Sequence, residues 1–144
     1  MNYTLSADEI RSANTTYVAL AERYHWPPRE LDEMLQRWEN LVIRLEGEEP
    51  PSWASYFNDM HLRYNLEVLL NHLPDSIRDK LVAALEPWDR RFEAATQIVE
   101  GDLSDREARE RGYWSSRIPM SIAKVNDAYQ RDEWARHFPD KFIH

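Results

Sequence analysis

WASYFNDMHLRYNLEVLLNHL, residues 53–73, decides the fold. Wound at about 100° per residue, Leu62, Leu66, Leu69 and Leu73 fall on one face, while Trp53, Phe57, Met60, Tyr64 and Val68 cover the opposite one. A helix that is apolar on two sides needs neighbours on two sides. The segment is therefore expected at the centre of a helical bundle, capped by Ser52 and roughly 30 Å long.

The flanking sequence supplies the neighbours. Ser6-Ala7-Asp8-Glu9 has the form of a capping box, and Ile10, Ala13, Tyr17, Leu20, Ala21 and Tyr24 follow at helical spacing until His25-Trp26-Pro27-Pro28. The prolines open a second helix whose stripe is Leu31, Met34, Leu35, Trp38, Leu41, Val42 and Leu45. Glu30, Glu33, Arg37 and Arg44 take its other faces, and Gly47 is expected as a left-handed cap. Glu48-Glu49-Pro50-Pro51 is an acidic linker. A fourth helix starts at Pro74-Asp75-Ser76 and keeps one phase through Ile77, Leu81, Leu85, Trp88, Phe92, Ala95 and Val99 to Gly101, with a kink or break near Glu86 imposed by Pro87. Ser104-Asp105-Arg106-Glu107 opens a short polar helix ending at Gly112, residues 113–119 read as an extended aromatic loop, and Ser121 caps a last helix. Ile122, Val125 and Tyr129 of that helix are expected to face inward, with Trp134 and Phe138 anchoring a tail that Pro139 ends. The expectation is one all-α domain over 1–144, a bundle of five to six helices.

Composition agrees with this class. The chain has 144 residues, 42% hydrophobic and 31% charged, with only three glycines, enough to bury about two-thirds of its unfolded surface and unlike a disordered or turn-rich β protein. The absence of cysteine excludes disulfides, thiolate metal sites and a cysteine nucleophile, and no apolar run reaches membrane-spanning length. The start lacks a basic-then-apolar secretory pattern, so the expected compartment is the cytoplasm.

Net charge is −8, and it is uneven. Ten acidic and five basic residues lie in positions 1–50, eight and five in 51–100, and eight of each in 101–144. Such a surface repels phosphate backbones, which disfavours direct nucleic-acid binding, and it steers a basic protein toward the first two-thirds of the chain. Arginines outnumber lysines fifteen to three, a bias that a G+C-rich coding sequence produces without any function.

Motifs for catalysis are missing. No glycine-rich phosphate loop, Gly-x-Ser-x-Gly elbow or His-Glu-x-x-His zinc site occurs. Glu133 and His137 have metal-ligand spacing but no second pair, His25, His61, His72 and His144 are scattered, and Glu107 with Glu110 form only half of a magnesium-binding acid pattern. No metal and no cofactor is expected. Asn58 and Asp59, within about 60° of the Leu62 face, are the unusual feature of the central helix. A buried carboxylate needs a partner, and Arg63 one turn on, Arg91 or Arg117 are the candidates. The constellation reads either as a structural ion pair that sets helix register or as a polar pocket with Tyr56 at its edge. Partner-binding candidates are the acidic Glu46, Glu48 and Glu49 ahead of Trp53, and the Tyr113, Trp114 and Arg117 loop, for which the competing expectation is that Trp114 only plugs the bundle.

The stretch Tyr56-Phe57-Asn58-Asp59-Met60-His61-Leu62-Arg63, followed by Asp89-Arg90-Arg91-Phe92-Glu93-Ala94-Ala95-Thr96, resembles a set of small helical bacterial proteins of unassigned activity. That set carries Tyr-x-Asn-Asp-x-x-x-Arg before Asp-x-x-Phe-x-x-x-Thr, and its Trp-rich, Arg-Pro tail is similar to 114–119, although Ile118 separates Arg117 from Pro119. The resemblance implies a shared helical fold and marks Asn58, Asp59, Arg63, Asp89 and Thr96.

Three functions follow as expectations. The leading one is a small acidic protein-binding protein, in its most concrete form an immunity protein or inhibitor that masks a basic toxin or nuclease. The second is a small-ligand binder or enzyme using a pocket around Tyr56, Asn58, Asp59 and Arg63. The third is a homodimeric regulatory or scaffold module.

Overall fold

The computed structural model describes residues 1–47, 51–98, 117–121 and 128–137. Among these residues five helices, α1 (Ala7–Tyr24), α2 (Leu31–Leu45), α3 (Trp53–Leu70), α4 (Asp75–Ala94) and α5 (Ala128–His137), share one core, and β1 (Thr96–Ile98) pairs with β2 (Arg117–Pro119) in a two-stranded antiparallel ribbon. The chain is a small all-α domain. Helix α3 packs against α1, α2, α4 and α5, the central position its two apolar faces demand. Its Leu62, Leu66, Leu69 and Met60 are buried, whereas Trp53, Phe57, Tyr64 and Val68 are half-buried. No helix among the described residues is long and apolar enough to cross a membrane.

Local chemistry sets the ends of the elements. Ser6 and Glu9 close the capping box reciprocally at 2.9 and 3.1 Å, and Lys80 of α4 reaches the same Glu9 carboxylate at 3.0 Å, tying the start of α1 to α4. The backbone bond to Ser6, then Lys80, lowers the Glu9 pKa. Helix α1 ends at His25, which is left-handed (φ 59°), a conformation costly to most residues but more often visited by histidine. Every residue of the stripe read for α2 is buried, from Leu31 to Leu45. The first turn of α2 is capped from outside its own sequence. Asn14 of α1 accepts from the Leu31 amide at 2.7 Å, while Glu30 supplies no side-chain cap. Ser52 caps α3 through Ser55 N–H at 3.2 Å.

Several boundaries differ from the reading of the sequence. Gly47 is not left-handed; α2 closes on Glu46 with φ −77°, and Gly47 N–H bonds Arg44 O at 3.0 Å in a tighter turn. Helix α3 stops at Leu70 rather than Leu73, again through a tight turn, with His72 N–H on Leu69 O at 2.9 Å. Helix α4 runs through Pro87 without a break. Pro87 and Ala83 are both exposed, so the carbonyl that loses its partner faces water, while Leu81, Leu85 and Phe92 pin the helix to the core on either side. The same helix ends at Ala94, not Gly101, because the chain turns into β1 at Thr96. Residues 117–119 are extended as expected, yet they are paired rather than looped. The predicted helix over 104–112, the acids Glu48 and Glu49, the aromatics Tyr113 and Trp114, Ile122, Val125, Phe138 and Pro139, and the side chain of Tyr129, lie outside the described residues.

Candidate functional site

The residues singled out on α3 reach three different neighbours. Arg63 is 3% exposed and turns toward α4, where Nη2 and Nε donate to the two Asp89 oxygens at 2.9 and 3.3 Å. Its Nη1 donates to Glu67 at 2.8 Å, and its guanidinium lies 5.7 Å from the Trp38 ring. Trp38 of α2 donates its indole N–H to the same Asp89 oxygen as Nε, at 3.0 Å, and stacks obliquely on Phe92 at 4.8 Å. Asp89 is thus the meeting point of α2, α3 and α4. Burial raises its pKa, and the Arg63 and Trp38 bonds oppose the rise.

Asp59 does not pair with Arg63, Arg91 or Arg117. Its partner is Arg37 of α2 at 3.1 Å. The reason is geometric: a short carboxylate facing α2 cannot follow a long arginine that two oxygens of Asp89 engage in a fork on the α4 side. Desolvation raises the Asp59 pKa, countered by Arg37 and, from further away, by Arg44 and Arg29. Asn58, expected inside the apolar stripe, is exposed; Asn65, which the sequence reading passed over, is the buried amide of α3 at 6%.

Tyr56 and Thr96 belong to a third knot. The Tyr56 hydroxyl is buried and donates to Arg117 O at 2.6 Å, and burial pushes its pKa up. Arg117 returns to the end of α4, donating to Thr96 Oγ1 at 2.8 Å and Glu93 O at 3.0 Å, while Thr96 Oγ1 donates to Phe92 O at 2.8 Å. These bonds take up the last carbonyls of α4 and hold the ribbon against it. Trp53 packs edge-on against Trp134 at 5.3 Å.

Glu46, read as part of an acidic partner patch, is occupied inside the molecule. Arg91 grips both its carboxylate oxygens and lies over the Trp88 ring at 4.2 Å, and the same guanidinium lowers the Glu46 pKa. Among the described residues no group of three or more metal-binding side chains converges. Asp59 and Arg63 thus sit in separate braces, and Arg63 and Asp89 also line the cleft between α3 and α4.

Two clefts remain. One, of about 430 Å³, lies between α3 and α4, with Leu70, Val82 and Leu85 as its bed and Glu67, Glu86, Asp89 and Glu93 around it beside Arg63 and Arg90. The other, of about 690 Å³, lies where the turn after α1 meets α3, and includes Tyr24, Trp26, Arg29, Asn58 and Asn65. Comparison with family models, curated proteins and solved structures finds no match.

Proposed function

We propose that this chain is a cytoplasmic protein-binding protein that receives a basic partner on the α3–α4 cleft, in its most concrete form as an immunity protein or inhibitor covering a basic toxin or nuclease surface. The observation that carries the proposal is the arrangement of that cleft. Leu70, Val82 and Leu85 offer an apolar bed, with Val82 47% exposed, and around it Glu67, Glu86, Asp89 and Glu93 outnumber Arg63 and Arg90. Arg90 answers Glu86 and Arg63 answers Glu67 from one side, so Glu67 and Glu93 still present oxygens outward. A lysine or arginine fits this shape, its stem on the apolar bed and its charged head at the glutamates. The net charge of −8 brings such a partner in from a distance.

The test is the association rate of the full chain with a partner recovered in a stoichiometric complex, measured at low and at high salt. Glu67→Gln combined with Glu93→Lys is expected to slow association about tenfold at low salt, with the difference shrinking as salt rises. A rate insensitive to both salt and these substitutions contradicts the proposal.

A further inference from the structure

The larger cleft differs in charge from the α3–α4 one. Its lining contains no aspartate or glutamate, in a chain with 26 acidic residues. Instead it holds Arg29, His25 and His61, the amides Asn58 and Asn65, and an aromatic wall. In that wall Tyr24 stacks on Trp26 at 5.3 Å and 26°, and Trp26 packs on buried Tyr17 at 5.8 Å. Tyr24 is 45% exposed, and the Arg23 guanidinium lies over its ring at 5.2 Å, adding a cation to this side of the molecule.

Arg29 sharpens the contrast. Its Nη1 is shut off from solvent and has no hydrogen-bond partner, and Arg29 forms no ion pair among the described residues. A buried donor on a charged group without an acceptor is costly, and Arg29 also lines the cleft, where its charge is felt. Asp59 feels the field of Arg29, although Arg37 already engages it, and Tyr17 behind the aromatic wall feels Arg29 together with Glu33.

We propose that the cleft between the α1–α2 turn and α3 binds a small planar aromatic molecule bearing an anionic carboxylate or phosphate, with the anion at Arg29 and the ring against the Tyr24 and Trp26 wall. Asn58 and Asn65 supply donors and acceptors to the edge of the ring, and the volume lies within the range of small-molecule sites. The assignment is independent of the α3–α4 cleft and of any protein partner.

Titration calorimetry of the full chain with 2-naphthoate, 1-naphthyl phosphate and neutral 2-naphthamide tests it. At least one anion is expected to bind one to one, with the amide about ten- to a hundredfold weaker, although the charge of the whole protein favours the reverse order. The tighter of the two anions tells carboxylate from phosphate. Arg29→Gln is expected to bring the anion down to the level of the amide, and Tyr24→Ala, at an exposed position, to weaken all bound probes several-fold. Equal binding of anion and amide, anion binding unchanged in Arg29→Gln, or no binding of either anion overturns the proposal.

Discussion

Arg63→Met is expected to lower the stability of the fold by about 3–5 kcal/mol, with a fall of roughly 10–15 °C in the thermal midpoint. Methionine preserves much of the buried stem, so the loss comes from Asp89, which is left with the Trp38 indole and no cation. A second substitution separates this from lost packing. Arg63→Met with Asp89→Leu removes both charges, and the double variant is expected to recover the larger part of the loss, because a buried pair replaced by apolar groups is often close to neutral. The pH dependence carries a sign as well. Desolvation raises the Asp89 pKa above its unfolded value of 3.8, more so once Arg63 is gone. The folded form then holds its proton more tightly than the unfolded one. The deficit of the single variant is therefore full at neutral pH, shrinks as pH falls through the raised pKa, and is smallest below the unfolded value. Urea unfolding of the three proteins at neutral and acid pH checks all of this. A single variant within 1 kcal/mol of the parent at neutral pH contradicts the structural role.

Trp134→Ala is expected to cost about 3–5 kcal/mol. Trp134 is fully buried, the one such side chain of α5 among the described residues; it packs on Trp53 and Tyr56 at 5.3 and 5.4 Å and donates to Pro51 O at 3.0 Å. Alanine leaves a cavity between α3 and α5 and strands the Pro51 carbonyl. Amide exchange is expected to lose protection over 128–137 first, with α1 and α2 keeping theirs. Trp134→Phe keeps a ring but not the N–H, and its cost is expected at about 1–2 kcal/mol. Equal costs for the two variants contradict this assignment of the indole.

The parts of the fold legible in the sequence were those fixed by local periodicity and capping. The seven-residue stripe of α2 and the caps at Ser6 and Ser52 need only neighbours along the helix, and all are present. What escaped reading depends on residues brought together by folding. The α2 cap comes from Asn14, and the partner of Asp59 is Arg37, an arginine that periodicity assigned to another face of α2. A long side chain can reach back from the edge of an apolar stripe, and spacing alone does not show it. Periodicity carried α4 on to Val99, whereas Thr96 is held by Phe92 O and by Arg117, twenty-one residues on. Of the residues that the resemblance marks, Tyr56 and Thr96 make buried bonds and Arg63 and Asp89 a half-buried one, while Asn58 is exposed. The Arg29 corner gave no signal in advance, since it depends on which carboxylates the fold leaves out.

Binding of a basic side chain in the α3–α4 cleft is tested most directly by amide chemical-shift mapping with a tetralysine peptide. The expected perturbations gather at Glu67, Leu70, Val82 and Glu93 and disappear in the Glu67→Gln, Glu93→Lys variant. Perturbations spread evenly over the acidic surface, reaching exposed Glu22 and Glu30 as strongly and persisting in that variant, would contradict it.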